Sequence, residues 1–380
     1  MKNIYKKHNS FSNFKTKKET IVDYNEISKC LAGQLNIETN IERKKIFKNL
    51  IDDLSSNGKE NNRKKFVLNP NVVEEIKSLD NDKVPHYLYH RYRYEIFPQK
   101  KTLDDYPPYL QIEPTSICNY RCVFCYQTDN VFNKKSNNFM GHMTYETFKN
   151  IVDQAEGNIE FISLASRGEP LMCKDIEKML LYTKNKFLNL KINTNASMLT
   201  EKKIHAILNS GVKTLSFSAD AADEKSYAEL RVNGNLNKIL KNINLFNQIR
   251  ASEYSNSKII TRVSGVKVNE NQKINEMQKF WGDLVDQVAF VNYVPWENVY
   301  DSKNLDIATP CSDLWRRMFI WWDGKANPCD VDYKSKLSVG EISSKSISEI
   351  WKSPEYEKLR ESHISNERSS LDPCNKCNVV

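Results

Sequence analysis

Three cysteines in the run IEPTSICNYRCVFCYQTDN, namely Cys118, Cys122 and Cys125, are spaced C-x3-C-x2-C. Thiolates at such spacing ligate zinc or an iron–sulfur cluster. A cubane cluster needs four ligands, so three thiolates leave one iron open to a substrate or cofactor, which suits catalysis. The alternative is a zinc site with a distant fourth ligand such as His142, although zinc sites more often pair cysteines as C-x2-C. A second group begins at Cys311 and reaches Cys329 with the spacing C-x12-G-x4-C, followed by the pair Cys374 and Cys377. Four thiolates can close a complete site, either a second cluster or a structural zinc ribbon. Cys30 and Cys173 stand alone, and most free cysteines are small buried hydrophobes.

These groups need a scaffold, and from Tyr109 the pattern supplies one. Apolar strands YLQIE, IEFISLA, LKIN, KTLSFS, KIITRVSGV and QVAFVNYV alternate with helical segments at 145–155, 174–185, 201–209, 223–230, 236–249 and 271–281. Strand–helix alternation predicts a parallel sheet with helices outside. Six strands are too few for an eight-stranded barrel of about 250 residues, so the expected fold is α/β, a partial (β/α)6 TIM-like barrel. Reactive groups then belong on loops after the C-terminal strand ends. The first cysteine group follows the first strand, SRGEPLM follows the second, and the third and fourth end in NTNAS and SFSAD. After Pro310 the pattern changes, and 306–380 reads as a separate small Cys-rich module beside a core at 101–305.

Residues 1–100 read as a largely helical or disordered extension. Ile46, Phe47, Leu50, Ile51 and Leu54 repeat at helical spacing within 41–54, SSNGKENNRKK is a linker, and a short helix is expected over 71–79. The aromatic run HYLYHRYRYEIFP is expected to pack on the domain surface rather than to stack on RNA. Residues 1–66 carry 15 Lys/Arg against 8 Asp/Glu, which is +7 of the chain's net +8. The basic character thus belongs to the leader, expected to be a solvated tail rather than a nucleic-acid or lipid contact. No apolar run approaches the roughly 20 residues of a membrane span, and the N-terminus lacks the apolar core of a signal peptide. The expected location is the cytoplasm.

The first cysteine motif, with Phe124 before its last cysteine, resembles the signature of the radical S-adenosylmethionine (SAM) superfamily. The resemblance covers roughly residues 105–377. It implies a [4Fe–4S] cluster on Cys118, Cys122 and Cys125 whose open iron chelates SAM. Its reductive cleavage gives a 5′-deoxyadenosyl radical that abstracts a substrate hydrogen. It places Phe124 against the adenine and matches Gly168, Glu169 and Pro170 to the family's GGEP motif, whose backbone binds the SAM amino group; Arg167 departs from the first glycine. By the same analogy Asn195 and Ser218 meet ribose or carboxylate, and Arg231 pairs with the SAM carboxylate. The second group resembles the SPASM domain, with a Leu-Trp after Cys311, an Asp-Gly hairpin, Gly-Glu-Ile at Gly340 and a helix ending at Trp351. A full SPASM domain carries further cysteines after the C-x2-C pair, so one auxiliary [4Fe–4S] cluster on Cys311, Cys329, Cys374 and Cys377 is expected.

The resemblance implies an oxidoreductase or epimerase acting on a peptide, sugar or other small molecule, with an electron donor such as flavodoxin or ferredoxin. An epimerase needs a hydrogen donor, for which Cys173 is the candidate. Asp330 and Asp332 flank the auxiliary ligands and could take a proton. A methyl- or group-transferase on the same core, and a non-catalytic zinc- or nucleic-acid-binding protein, are the alternatives. The extension shows no match to the winged helix of peptide-modifying relatives.

Overall fold

The alternation that begins at Tyr109 folds as the pattern requires. The structure is a computed structural model and describes residues 4–5, 11–16, 23–55 and 65–380. In chain order it contains β1 (Phe11–Thr16), α1 (Tyr24–Ile37), α2 (Ile41–Ser55), α3 (Pro70–Lys77), α4 (Val84–Lys100), β2 (Tyr109–Ile112), α5 (Tyr145–Ala155), β3 (Phe161–Leu164), α6 (Ile176–Tyr182), β4 (Asn189–Thr194), α7 (Glu201–Leu208), β5 (Val212–Ser218), α8 (Glu224–Leu230), α9 (Leu236–Glu253), β6 (Ile260–Lys267), α10 (Ile274–Gly282), β7 (Gln287–Asn292), β8 (Arg317–Ile320), β9 (Lys325–Asn327), β10 (Gly340–Glu341), α11 (Ile347–Trp351) and α12 (Pro354–Ile364).

Strands β2 to β7 are the six expected strands, paired in parallel in sequence order. Their outward residues, among them Leu110, Ile162, Ile192, Leu215 and Val263, join Ile151, Met179, Ile204 and Ile239 of the helices in one core. Residues alternate faces along a strand, so Gln111, Ser163, Lys191, Ser216, Arg262 and Gln287 point inward and the lumen is polar. Side-chain caps start the helices: Thr144 accepts from Thr147 N, Asp223 from Ser226 N and Asn235 from Lys238 N. Each such cap contributes about 1 kcal/mol.

The sheet extends beyond the six strands at both edges. At one edge β8 runs parallel to β2, with Arg317 opposite Tyr109, and β9 and β10 follow antiparallel. The Cys-rich module therefore shares the sheet rather than standing apart from it. At the other edge β1 pairs antiparallel with β7. This strand and α1 lie in the segment expected to be a tail. The stretches 1–3, 6–10, 17–22 and 56–64, which hold eight of the leader's 15 Lys/Arg and most of the linker, lie outside the described residues.

The remainder of the extension is a helical layer. Ile27, Leu31, Phe47, Leu50, Val72 and Leu88 form a second core with Phe161. The aromatic run is helix α4, buried at Val84, Tyr87, Leu88, Tyr89, His90, Tyr92 and onward to Pro98. It crosses the lower mouth of the barrel, where His90 stacks on Phe161, the first residue of β3, at 3.7 Å. Aromatic and charged residues, among them Arg93 and Glu95, are buried together around this helix, so no single apolar stripe marks it in the sequence.

Candidate cluster and cofactor site

The three thiols of the first group sit above the upper mouth of the barrel, on the loop after β2. Cys125 N–H donates to the Cys122 carbonyl at 3.0 Å, closing a tight turn. Cys122 is paired antiparallel with Arg231 in a two-residue ladder, which fixes the cysteine loop to the loop after α8. Gln127 holds the strand end by donating to the Ser116 carbonyl at 2.8 Å and to the Arg167 carbonyl. All three thiols line one cavity of about 330 Å³, together with Phe124, Gly168, Glu169, Asn195, Ser218 and Arg231. Burial pushes Cys118 up to about 12 and raises Cys122 and Cys125 as well, and the three act on one another electrostatically. Thiols so desolvated ionise when a cationic metal centre takes the charge.

SRGEPLM packs against this loop. Glu169 N–H donates to the Ile117 carbonyl at 2.9 Å. A Cβ on Gly168 would overlap the carbonyl oxygens of Thr115 and Ile117, so glycine is required for the two loops to meet. Ser166 holds a φ of 145°, a region L-residues rarely adopt. The buried Glu169 carboxylate accepts from Thr194 Oγ1 at 2.6 Å, Asn195 N at 2.7 Å and Leu171 N at 3.1 Å. Burial raises its pKa against the pull of those donors. Glu169 therefore ties the loop to the end of β4, and Pro170 opens a short 3-10 turn without lining the cavity.

Asn195 turns its amide towards Asn119 Oδ1 at 3.0 Å, with Cys118 Sγ at 4.0 Å. Arg231 is buried with Nε 2.6 Å from Asp220 Oδ2, Nη1 3.8 Å from Cys122 Sγ and its guanidinium 5.7 Å from the Phe124 ring centroid. Sequence reasoning missed Asp220 as its partner, although SFSAD ends there. It also missed Phe11, Asn193 and Trp296, which line the same cavity. Cys173 is elsewhere: 3% exposed, it belongs to the main core, with its sulfur against Met143 O and Met179 Sδ. It does not line the cavity, so the hydrogen-donor expectation is corrected. His142, the candidate zinc ligand, bridges Thr115 in a strand-like pair and does not line the cavity either.

The departure at Arg167 has a physical account. Its side chain makes a forked ion pair with the buried Glu113, Nε–Oε2 at 2.8 Å and Nη2–Oε1 at 2.5 Å. Nη1 donates to the Tyr333 carbonyl at 3.0 Å, and the guanidinium lies 4.4 Å from a Trp321 ring centroid. Arg167 thus fastens the glycine loop to the C-terminal module.

In that module Cys329 follows β9, Cys374 opens a 3-10 turn that Cys377 closes, and Cys311 N–H donates to His363 Nδ1 at 3.1 Å. Arg368, 1% exposed, donates to the carbonyls of Thr309, Cys374, Cys377 and Val379 and so shapes the loop. Cys311 and Cys374 both act electrostatically on Cys329, and Cys377 on Cys374, so the four thiols converge. Burial pushes Asp332 up to about 6, while its carboxylate accepts from Tyr300 and from Lys336 and Leu337 N–H. Between the two cysteine groups lies an aromatic wall. Tyr126 stacks on Tyr333 at 4.8 Å, Tyr333 meets Tyr300 edge-on at 5.0 Å, and Cys125 of the first group and Cys329 and Cys377 of the second all pack against this cluster. Among the described residues no three His, Cys, Asp or Glu are gathered as a single metal ion would require. A four-iron cluster places each thiolate on its own iron, and both donor sets, all sulfur, suit it.

Profile comparison supplies the family. The radical SAM superfamily profile matches residues 112–267 and that of an iron–sulfur cluster-binding domain, SPASM, matches 311–378. The chain belongs to the radical SAM superfamily and carries a SPASM domain. Membership implies a SAM-binding [4Fe–4S] cluster in the barrel and auxiliary iron–sulfur in the SPASM domain. Clostridium botulinum GTP 3′,8-cyclase is 30% identical over 137 residues, 36% of this chain and 42% of the relative. The chain therefore spans about two fifths of that relative's length. The S-adenosyl-L-methionine-dependent 2-deoxy-scyllo-inosamine dehydrogenase of Niallia circulans is 21% identical over 276 residues, covering 71% of this chain and 92% of the relative. Streptococcus suis SuiB bound to S-adenosylmethionine shares the fold with a TM-score of 0.54 at 16% identity, over 95% of this chain and 89% of SuiB. Among the described residues no helix is long and apolar enough to cross a membrane.

Proposed function

We propose that this radical SAM protein catalyses a two-electron oxidation of a substrate C–H bond. Cys118, Cys122 and Cys125 hold the SAM-binding cluster, and Cys311, Cys329, Cys374 and Cys377 hold one auxiliary [4Fe–4S] cluster. When bound, the first cluster supplies the electron that splits SAM into methionine and the 5′-deoxyadenosyl radical, which takes a hydrogen atom from the substrate. Phe124 stacks on the adenine, the Gly168–Glu169 backbone receives the amino group, and Asn195 and Ser218 face the ribose. Arg231, held through Nε by Asp220, would turn its terminal N–H groups to the carboxylate. The substrate must then give up a second electron and a proton.

The observation that carries the reading is the shared aromatic wall, against which Cys125 of the first group and Cys329 and Cys377 of the second pack. The auxiliary cluster would accept that second electron, an acceptor that an epimerase or a methyl transfer would not need. The burial of Cys173 in the core removes the donor an epimerase would have used. The Niallia circulans dehydrogenase, alike over most of its length, supports oxidation and a sugar-type substrate. SuiB, solved bound to its precursor peptide, keeps peptides in view.

The test is anaerobic reconstitution with SAM and a strong reductant, measuring 5′-deoxyadenosine in wild type and Cys122→Ala. Formation by wild type alone is expected. A colourless, zinc-loaded preparation that forms none would overturn the reading. Product mass then separates loss of two hydrogens from gain of a methyl group.

A further inference from the structure

The barrel lumen below the cavity is unusually cationic. Lys191 lies on β4 two residues before Asn193, and Arg262 lies on β6 two residues before Ser264; Asn193 and Ser264 both line the cavity. The intervening Ile192 and Val263 belong to the outer core, so strand alternation turns Lys191 and Arg262 inward, on the cavity's side of the sheet. A two-residue step places them about 7 Å below the cavity lining. Phe11, itself a cavity residue, lies over the Arg262 guanidinium at 5.6 Å.

The charges there do not balance. Glu75 of α3 is the carboxylate acting on both cations, 3.7 Å from Arg262 Nη2, and it also accepts the Tyr87 hydroxyl. Arg317 adds a third positive field, though it is held by the Tyr94 hydroxyl. Arg262 is 4% exposed, and while its Nε donates to Gln287, Nη2 has no hydrogen-bond partner. Lys191 remains partly reached by solvent. Burial, then Arg262 and Arg317, hold its pKa down to about 7. Two cations facing one shared carboxylate in a low-dielectric lumen form a site that an incoming anion would stabilise.

We infer that Lys191 and Arg262 form an anion subsite that takes a carboxylate or phosphate group of the substrate, anchoring its remote end below the SAM cavity. This rests on the proposal that the upper cavity holds SAM. The subsite would select charged substrates over neutral ones and fix which carbon reaches the radical, as remote binding groups do.

The test uses the reconstituted protein with SAM bound, titrated with succinate, inorganic phosphate and uncharged succinamide and followed by calorimetry and saturation-transfer NMR. Binding of at least one anion and not of succinamide is expected, and which anion binds identifies the group. Lys191→Met should weaken that binding at least tenfold while leaving SAM affinity and 5′-deoxyadenosine formation without substrate unchanged. Should that variant fold poorly, Arg262→Gln and the charge-keeping Lys191→Arg form the second pair, with loss expected in the former and retention in the latter. Wild type that binds SAM but neither anion, or a folded Lys191→Met that binds as tightly as wild type, would overturn the inference. Wild type that binds no SAM would instead defeat the reading of the upper cavity.

Discussion

The two mouths of the barrel are built on opposite principles. The upper mouth gathers three desolvated thiols, a glycine that admits no Cβ, a serine at φ 145° and a buried carboxylate with three donors. The lower mouth is closed by α4, whose Tyr87 and Leu88 are almost fully buried and whose His90 lies flat on Phe161 with 5° between the rings. Groups held against their preference cluster where chemistry happens, and apolar burial at the other end provides stability, at about 1.5–3 kcal/mol for each large buried side chain. Changes above should therefore remove function with the fold intact, and changes below should weaken the fold with chemistry intact.

The largest effect tests the upper mouth. Cys122→Ala should lower 5′-deoxyadenosine formation to background and remove about half of the bound iron, by the four-iron count of each cluster. Iron analysis and far-UV circular dichroism check that the fold and the second cluster persist. Arg167→Met breaks the simple version of the comparison, because Arg167 sits at the reactive end yet joins two parts of the fold. It strands the buried Glu113 and should cost about 3–5 kcal/mol in chemical denaturation. Adding Glu113→Gln should recover a good part of that loss.

Gly168→Ala is subtler. A methyl against the Thr115 and Ile117 carbonyls forces the two loops apart, at a cost of about 1–3 kcal/mol. SAM affinity should fall more than stability does, read by equilibrium binding beside a thermal melt. Equal losses in both would mean that the close approach serves packing alone.

How much of this was legible depends on periodicity. The six strands and their helices are visible because each presents an apolar face at period 2 or 3.6, and the observed helix Tyr145–Ala155 coincides with the expected one. Cys118, Cys122, Cys125, Phe124, Gly168 and Arg231 could be picked out because their types and spacing carry chemistry, and the fold brings them to one cavity. Helix α4 was hidden by the aromatic and charged residues on all its faces. Strand β1 was hidden because FSNFKT is short and half-exposed and gains its partner, β7, only from far along the chain. The partners Asp220 and Glu113 were hidden for the same reason: an ion pair between loops more than ten or fifty residues apart leaves no local pattern. The lumen cations were hidden by the strand alternation itself, since Lys191 and Arg262 look like solvent-facing residues until the sheet curls around them.

The smallest effect tests the lower mouth through pH. His90 is fully buried, and burial, with Arg91 and Arg93 nearby, holds its pKa well below the usual histidine value. The folded protein therefore refuses a proton that the unfolded chain accepts below about pH 6.5. Stability should fall as pH drops from 7 towards 5, with His90 contributing up to about 1.4 kcal/mol per pH unit once below that value. His90→Phe keeps the stacked ring and removes the titration, so the difference between the two proteins' denaturation midpoints should grow in the variant's favour as pH falls and nearly vanish above pH 7. Formation of 5′-deoxyadenosine at neutral pH should not change. A variant that loses that activity while melting like wild type would show that α4 acts on the cavity through the lumen, and the division of labour between the two mouths would fail.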